Sequence, residues 1–172
     1  LDLDHAGGIG DFPEARVHVF TDELAAATQR ATLKEKARYL TGQWAHRPHW
    51  AEHRVEGEEW LGFSSVRTVG EDVLLVPLAG HTRGHCGVAV RRPAGSASEW
   101  LLHAGDAYFF AGEKERPPTC PSGLAVFQGV VEQDRTARLA NQDRIRSLHA
   151  EHPEVTVFSA HDASEFEALA AQ

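Results

Sequence analysis

The sequence has no methionine and only two cysteines in 172 residues. A gene product opens with Met, whereas this chain opens Leu-Asp-Leu-Asp-His, which implies a start made by processing or cropping. Cys86 and Cys120 form neither a Cys-x-x-Cys spacing nor a disulfide framework, so they read as reduced structural thiols, in keeping with a cytoplasmic protein. No apolar run approaches the roughly 20 residues of a membrane span; the longest, Val73–Leu78, is the length of a strand. Basic residues are few, 17 Lys and Arg against 25 Asp and Glu, and the net charge of −8 argues against a nucleic-acid backbone as partner. There is no internal repeat, low-complexity tract or second domain boundary. Residues 1–172 therefore read as one domain, long enough to bury a sizeable core.

What is abundant is histidine, with eleven copies. The alternation Leu1-Asp2-Leu3-Asp4 has the period of a strand with one polar face, and it runs into a turn at His5-Ala6-Gly7-Gly8. Arg16–Phe20 reads as a strand, and Thr21 as the N-cap of a helix to about Gln29. Thr32-Leu33-Lys34-Glu35 is a capping box opening a helix to about Leu40. Residues 41–57, rich in Trp, His and Arg, have no clear period and read as a loop or lid-like insertion. Strand-like runs follow at Trp60–Ser64, Val66–Val69, Val73–Leu78, Cys86–Arg91 and Trp100–His103. A Pro/Gly-rich loop is expected over Glu113–Gly123, a helix from about Val131 to His149, a buried strand at Val155–Ser159 and a short helix capped at Ser164. This order suits an α/β (α+β layered) domain.

Four stretches place His or Asp at the ends of these strands: Asp2-Leu3-Asp4-His5, Gly80-His81-Thr82-Arg83-Gly84-His85, Gly105-Asp106 and His161-Asp162. Imidazole and carboxylate together suit zinc, manganese or iron, and a carboxylate can bridge two ions. Two such ions can share a hydroxide that is nucleophilic near neutral pH.

These stretches resemble the metallo-β-lactamase superfamily in its lactonase and glyoxalase-like branch. That family carries a His-x-His-x-Asp-His motif, a later His in a Gly-His-Thr-x-Gly-His context, an Asp after the next strand and a final His. Leu1-Asp2-Leu3-Asp4-His5-Ala6-Gly7-Gly8 looks like the first motif without its opening residue. His85, Asp106 and His161 follow in order at intervals of 80, 21 and 55 residues. The resemblance implies metal ligation by Asp2 and His85 in a first site and by Asp4, His5 and His161 in a second, with Asp106 bridging. It also implies that Asp4 hydrogen-bonds the hydroxide and that Tyr108, two residues after the bridge, faces a developing oxyanion. Two departures stand out. The first motif His would precede Leu1, and the second is replaced by Asp2, a weaker support for a Lewis-acidic ion.

The family fold is an αββα sandwich of two similar halves, and this chain matches mainly the C-terminal half. A lone half would expose a sheet face meant for packing, so a companion N-terminal segment, a domain-swapped homo-oligomer or a longer parent is expected. The activity implied is metal-dependent hydrolysis of an ester, lactone or thioester carbonyl of a small molecule by a metal-bound hydroxide. One or two zinc ions are the implied cofactor, with iron or manganese as alternatives. Two rivals remain: a non-catalytic metal-binding or interaction module, favoured by the altered motif, and a mononuclear iron dioxygenase of the same fold.

Blander readings are preferred elsewhere. His81 suits a loop-ordering hydrogen bond. His46, His49 and His53 with Trp44 and Trp50 read as a loop packing its aromatics. Cys86 reads as an inert buried thiol, and the charges of Glu132–Arg146 as a solvated helix face.

Overall fold

The computed structural model describes residues 1–171. A strand β1 (Arg16–Phe20) leads directly into a helix α1 (Thr21–Gln29), followed by α2 (Leu33–Arg38). The capping box forms as expected: Thr32 Oγ1 accepts from the Glu35 amide at 3.1 Å, and Glu35 Oε2 accepts from the Thr32 amide at 2.9 Å. Thr21 is the first helical residue rather than the cap, because its hydroxyl donates to the His53 carbonyl instead. The stretch read as a loop contains β2 (His49–His53), which pairs in parallel with β1. Trp60–Ser64 divides into a hairpin, β3 (Glu59–Trp60) and β4 (Phe63–Ser64). Leu61 and Gly62 at φ 48° and 81° make the two-residue turn that such hairpins require.

The main sheet runs in the order β5 (Val66–Val69), β6 (Val73–Pro77), β7 (Cys86–Arg91), β8 (Trp100–His103), β9 (Val155–Phe158). Its first four strands are antiparallel neighbours, and β9 joins β8 in parallel. The register puts Leu74, Val76, Ala89, Leu102 and Val157 on one face, where they pack with Ile145 and Leu148. The opposite face, including Val88, Leu101 and Phe158, is half-buried, and Val90 on it is exposed. Among the described residues there is one large sheet with flanking helices, not two. No helix among the described residues is long and apolar enough to cross a membrane.

Two expectations for the C-terminal third change. Ser122–Val131 forms a helix, α3, where a loop was expected to run to Gly123 and the next helix to begin near Val131. α4 spans Arg135–Glu151, with Asp134 as its N-cap accepting from the Ala137 amide. The charged stretch Glu132–Arg146 is not a solvated face throughout. Arg138, Asn141 and Gln142 are buried, and Arg138 pairs with Glu132 at 2.5 Å and with Gln128 at 3.1 Å. α3 and the segment after it bring these partners, so the polar groups satisfy one another in place of water. The last helix, α5 (Ala163–Ala170), is capped by Asp162, which accepts from the Ser164 and Glu165 amides.

Candidate metal centre

Loops at one end of the main sheet carry the expected residues towards one point, the Asp106 carboxylate. Gly105 turns the chain after β8 at φ 56°, and a Cβ there would lie 2.6 Å from His85 Nε2, so the backbone passes hard against that ring. The first residues do not form the expected strand. The amides of His5 and Ala6 both donate to the Asp2 carbonyl, and Asp2 Oδ1 accepts from the Leu3 amide. Among the described residues no strand pairs with Leu1–Asp4, so the local turn wins, and Asp2 and Asp4 reach the cluster from a turn rather than from one strand face. His161 follows β9, and Asp162 fixes that loop by accepting from the Ala111 amide at 2.6 Å.

On one side of Asp106 stand Asp4, His5 and His161. His5 Nε2 lies 3.1 Å from Asp106 Oδ2, and His161 Nε2 lies 3.1 Å from Asp106 Oδ1. Asp4 Oδ2 lies 3.7 and 3.8 Å from the two imidazole nitrogens. Tetrahedral ligands about 2.0–2.1 Å from a zinc ion lie roughly 3.3 Å from one another, so these spacings suit one shared cation. Asp106 Oδ1 is buried without a hydrogen-bond partner; its approach to His161 is a close charge contact without hydrogen-bond geometry. A buried carboxylate with one orphaned oxygen beside the His161 nitrogen, the His5 nitrogen against its other oxygen and a second carboxylate close by is a donor set that fits a divalent ion of the zinc, iron or manganese type.

The opposite side of Asp106 holds Asp2 and His81. His81 Nε2 lies 2.9 Å from Asp2 Oδ2 and 3.2 Å from Asp106 Oδ2, so His81 faces the cluster rather than ordering its loop alone. The Arg38 guanidinium, from the end of α2, fills the remaining direction. Its Nη1 pairs with Asp2 and stands 2.7 Å from His81 Nε2, while Nη2 donates to the Val131 carbonyl. Neither Arg38 nor the inward turn of His81 was expected. The only sequence signal for Arg38 was its place in the helix opened by the capping box.

Electrostatics follow this layout. Burial would raise the Asp106 carboxyl, yet the hydrogen bond and charge of His5, then His81, hold it down at about 2. The same hydrogen bond to Asp106 pushes His5 up from its ordinary value, against its burial. His85 is driven down to about 4 by burial and is neutral. Its Nδ1–H donates to the Leu78 carbonyl at 2.9 Å, and its Nε2 accepts from the Asp106 amide at 2.9 Å. The ring thus holds the Asp106 loop and directs no free nitrogen at the cluster. Tyr108 also stands apart. Its buried hydroxyl donates to both oxygens of Glu165 at 2.9 and 3.1 Å, and burial with that carboxylate pushes its pKa upward. A phenol committed to a buried carboxylate cannot turn to an oxyanion, which removes the expected role.

Of the other histidines, His53 stacks on His18 with ring centroids 5.1 Å apart, and Trp44 packs against Ala26, Ala27 and Tyr39. Cys86 is pushed up to about 11 by burial, so its thiol stays protonated.

The cluster opens onto a cavity of about 680 Å³. Asp4, Asp106 and His161 line one end, and Phe109, Leu124, Phe127 and Val130 make an apolar wall.

No family model matches the chain. Two curated relatives, both probable metallo-hydrolases, from Mycobacterium tuberculosis and Mycobacterium bovis, are each 40% identical over 166 residues. Those residues make up 94% of this chain and 52% of each relative, so the chain spans about half the length of the curated relatives it matches. Among solved structures, an N-acyl homoserine lactone hydrolase with its product N-hexanoyl-L-homoserine at the metal centre superimposes with a TM-score of 0.65 at 21% identity, over 95% of this chain and 54% of that one. A hydrolase of the beta lactamase superfamily gives 0.54 at 19% identity, over 90% of this chain and 50% of its own. The chain has the metallo-β-lactamase fold. Within that fold, Asp4, His5, Asp106 and His161 are brought together, Asp2 lies across Asp106 with Arg38 and His81, and His85 holds the Asp106 loop from behind.

Proposed function

We propose that the chain carries the metal centre and substrate cavity of a metal-dependent hydrolase acting on an ester, lactone or thioester with an apolar acyl group. The observation that carries this reading is that the Asp4, His5 and His161 group, with Asp106 in contact with both of its imidazoles, is continuous with the apolar cavity beside it. Asp4, His5, Asp106 and His161 would hold a zinc, iron or manganese ion, which would supply a Lewis acid and lower the pKa of water. The chain's own groups divide the remaining work. His5 and His161 present ring nitrogens from two loops and hold the cluster's geometry. Asp106, buried and anionic, supplies the charge that balances a cation. Asp4, whose carboxylate is half open to solvent, orients the attacking water and takes its proton. Phe127, Leu124 and Val130 receive the acyl chain and exclude water from it. The solved homoserine lactone hydrolase supports a lactone as the first substrate to try; the apolar wall supports an acyl tail. Residues 1–172 are proposed as a single metallo-β-lactamase-fold domain without its N-terminal segment.

The test is a panel of acyl lactones, aryl esters and acyl thioesters of increasing chain length, offered to the zinc-loaded whole protein that carries this sequence. Hydrolysis should rise with acyl length in kcat/KM and disappear on chelation, and Phe127→Asp should raise KM for the longest acyl group at least about tenfold. Turnover that survives removal of the metal, or no turnover on any of the three classes, overturns the proposal. One observation favours a second reading. Two imidazoles and a carboxylate about one point also suit a single iron, as in mononuclear oxygenases. Iron on elemental analysis, with oxygen uptake, would establish that alternative.

A further inference from the structure

The Arg38 guanidinium stands where a second cation would have to stand. Asp2, His81 and Asp106 offer three donor atoms within 4.8 Å of one another, the same kind of grouping as Asp4, His5 and His161. The two groups meet at Asp106, yet only one contains a fixed positive charge. Arg38 is 8% exposed, pairs with Asp2, contacts His81 and is tied by its second terminal nitrogen to the Val131 carbonyl at the end of α3. That carbonyl lies at the negative end of a helix, which favours a cation there. A guanidinium does not lose its proton in a protein, so Arg38 cannot make room for an ion as a histidine does. A divalent ion on Asp2 and His81 would face this charge at close range and would compete with it for the same carboxylate oxygen.

We propose that Arg38 is a built-in cation that takes the place of a second metal ion, so that the cluster binds one divalent ion per chain, on Asp4, His5, Asp106 and His161. Asp2 is then the counterion of Arg38 and not a metal ligand. On the cavity side of Asp106 away from the ion, the positive charge comes from the protein itself, since Arg38 lines the same cavity. This rests on the reading that the cluster holds a metal, and the experiment separates the two.

The measurement is zinc bound per chain, by native mass spectrometry and elemental analysis of the whole protein after saturation and desalting. One zinc in the wild type and two in Arg38→Ala are expected. Two zinc ions in the wild type overturn the inference and leave the metal reading intact; one in both proteins also overturns it, because Arg38 would then exclude nothing. If Arg38→Ala does not fold, Asp2→Asn decides. Retention of one zinc with affinity within about threefold of wild type supports the inference, and a loss of tenfold or more makes Asp2 a ligand and overturns it. No zinc in any of the proteins overturns this inference together with the reading on which it rests.

Discussion

The two sides of Asp106 use the same kinds of residue and reach opposite electrostatic solutions. On the Asp4, His5 and His161 side, the Asp4 and His161 side chains are 48% and 42% exposed, and no lysine or arginine approaches among the described residues. On the Asp2 and His81 side, the carboxylate is largely buried and already paired with a guanidinium. Burying an anion without a partner is costly, so the closed side must carry its own cation, whereas the open side can wait for one from solution. Two groups built from His and Asp therefore differ in what they can bind, and the difference is set by a residue outside both groups.

Removing the cation from each side should separate them most sharply. Arg38→Met leaves Asp2 buried without its counterion and should lower the stability of the metal-free protein by about 3–5 kcal/mol. His161→Ala removes an exposed ring and should change that stability by less than about 0.5 kcal/mol. Denaturant unfolding in the presence of a chelator compares the two directly. Adding Asp2→Asn to Arg38→Met should recover much of the loss, because removing both partners leaves no orphaned charge. Equal effects of Arg38→Met and His161→Ala would mean that the two sides do not differ in this way.

Acid titration sharpens the same comparison on a smaller scale. The Asp106 carboxyl is held at about 2 in the folded chain, against an ordinary 3.8. A depressed carboxyl stabilises the fold above its unfolded value and loses that contribution as pH falls through the folded one. The metal-free protein should therefore lose on the order of 2 kcal/mol from this group between about pH 4 and pH 2. His5 lowers Asp106 more than His81 does, through its hydrogen bond as well as its charge. His5→Gln should flatten the acid limb of the stability curve more than His81→Gln. The reverse order would place the main partner of Asp106 on the closed side.

How much of this was readable beforehand depends on the range of the interaction. Strands β6, β7 and β8 and the capping box of α2 are local patterns, and they form where the period and the cap residues put them. The strand-end positions of His85, Asp106 and His161 follow from the same periodicity. The turn at Leu1–Asp4 was not readable, because period 2 makes a strand only if a neighbour pairs with it. Arg38 was hidden for a different reason. Its partners Asp2, His81 and Val131 lie 36, 43 and 93 residues away, and nothing in Leu-Lys-Glu-Lys-Ala-Arg marks one basic residue as buried. Tyr108 shows the converse: its spacing from Asp106 suggested a role, but Glu165, 57 residues on, takes its hydroxyl. α3 escaped because Gly123, Gly129 and three valines are poor helix formers, and its helix is held by partners such as Arg38, Glu113 and Gln142.

The smallest expected effect concerns a residue that touches neither side. Asp162 caps α5 through the Ser164 amide at 2.9 Å and ties the His161 loop to the Ala111 amide at 2.6 Å. It therefore belongs to the open side only by position, as the support of a ring that is itself largely exposed. Asp162→Ala should cost about 1 kcal/mol of stability through the lost cap. It should also weaken metal binding about tenfold, the lower end of what losing a support behind a ligand costs. Asp162→Asn keeps one acceptor oxygen, enough for the cap on the Ser164 amide but not for the Ala111 amide as well, and should restore most of the cap while leaving most of the affinity loss in place. Calorimetric titration of zinc against the two variants distinguishes the outcomes. If Asp162→Ala loses the cap but binds zinc as the wild type does, His161 is held by something other than its loop, and the open side is more rigid than its exposure suggests. If affinity falls while the cap loss stays near 1 kcal/mol, the open side depends on loop position where the closed side depends on charge pairing.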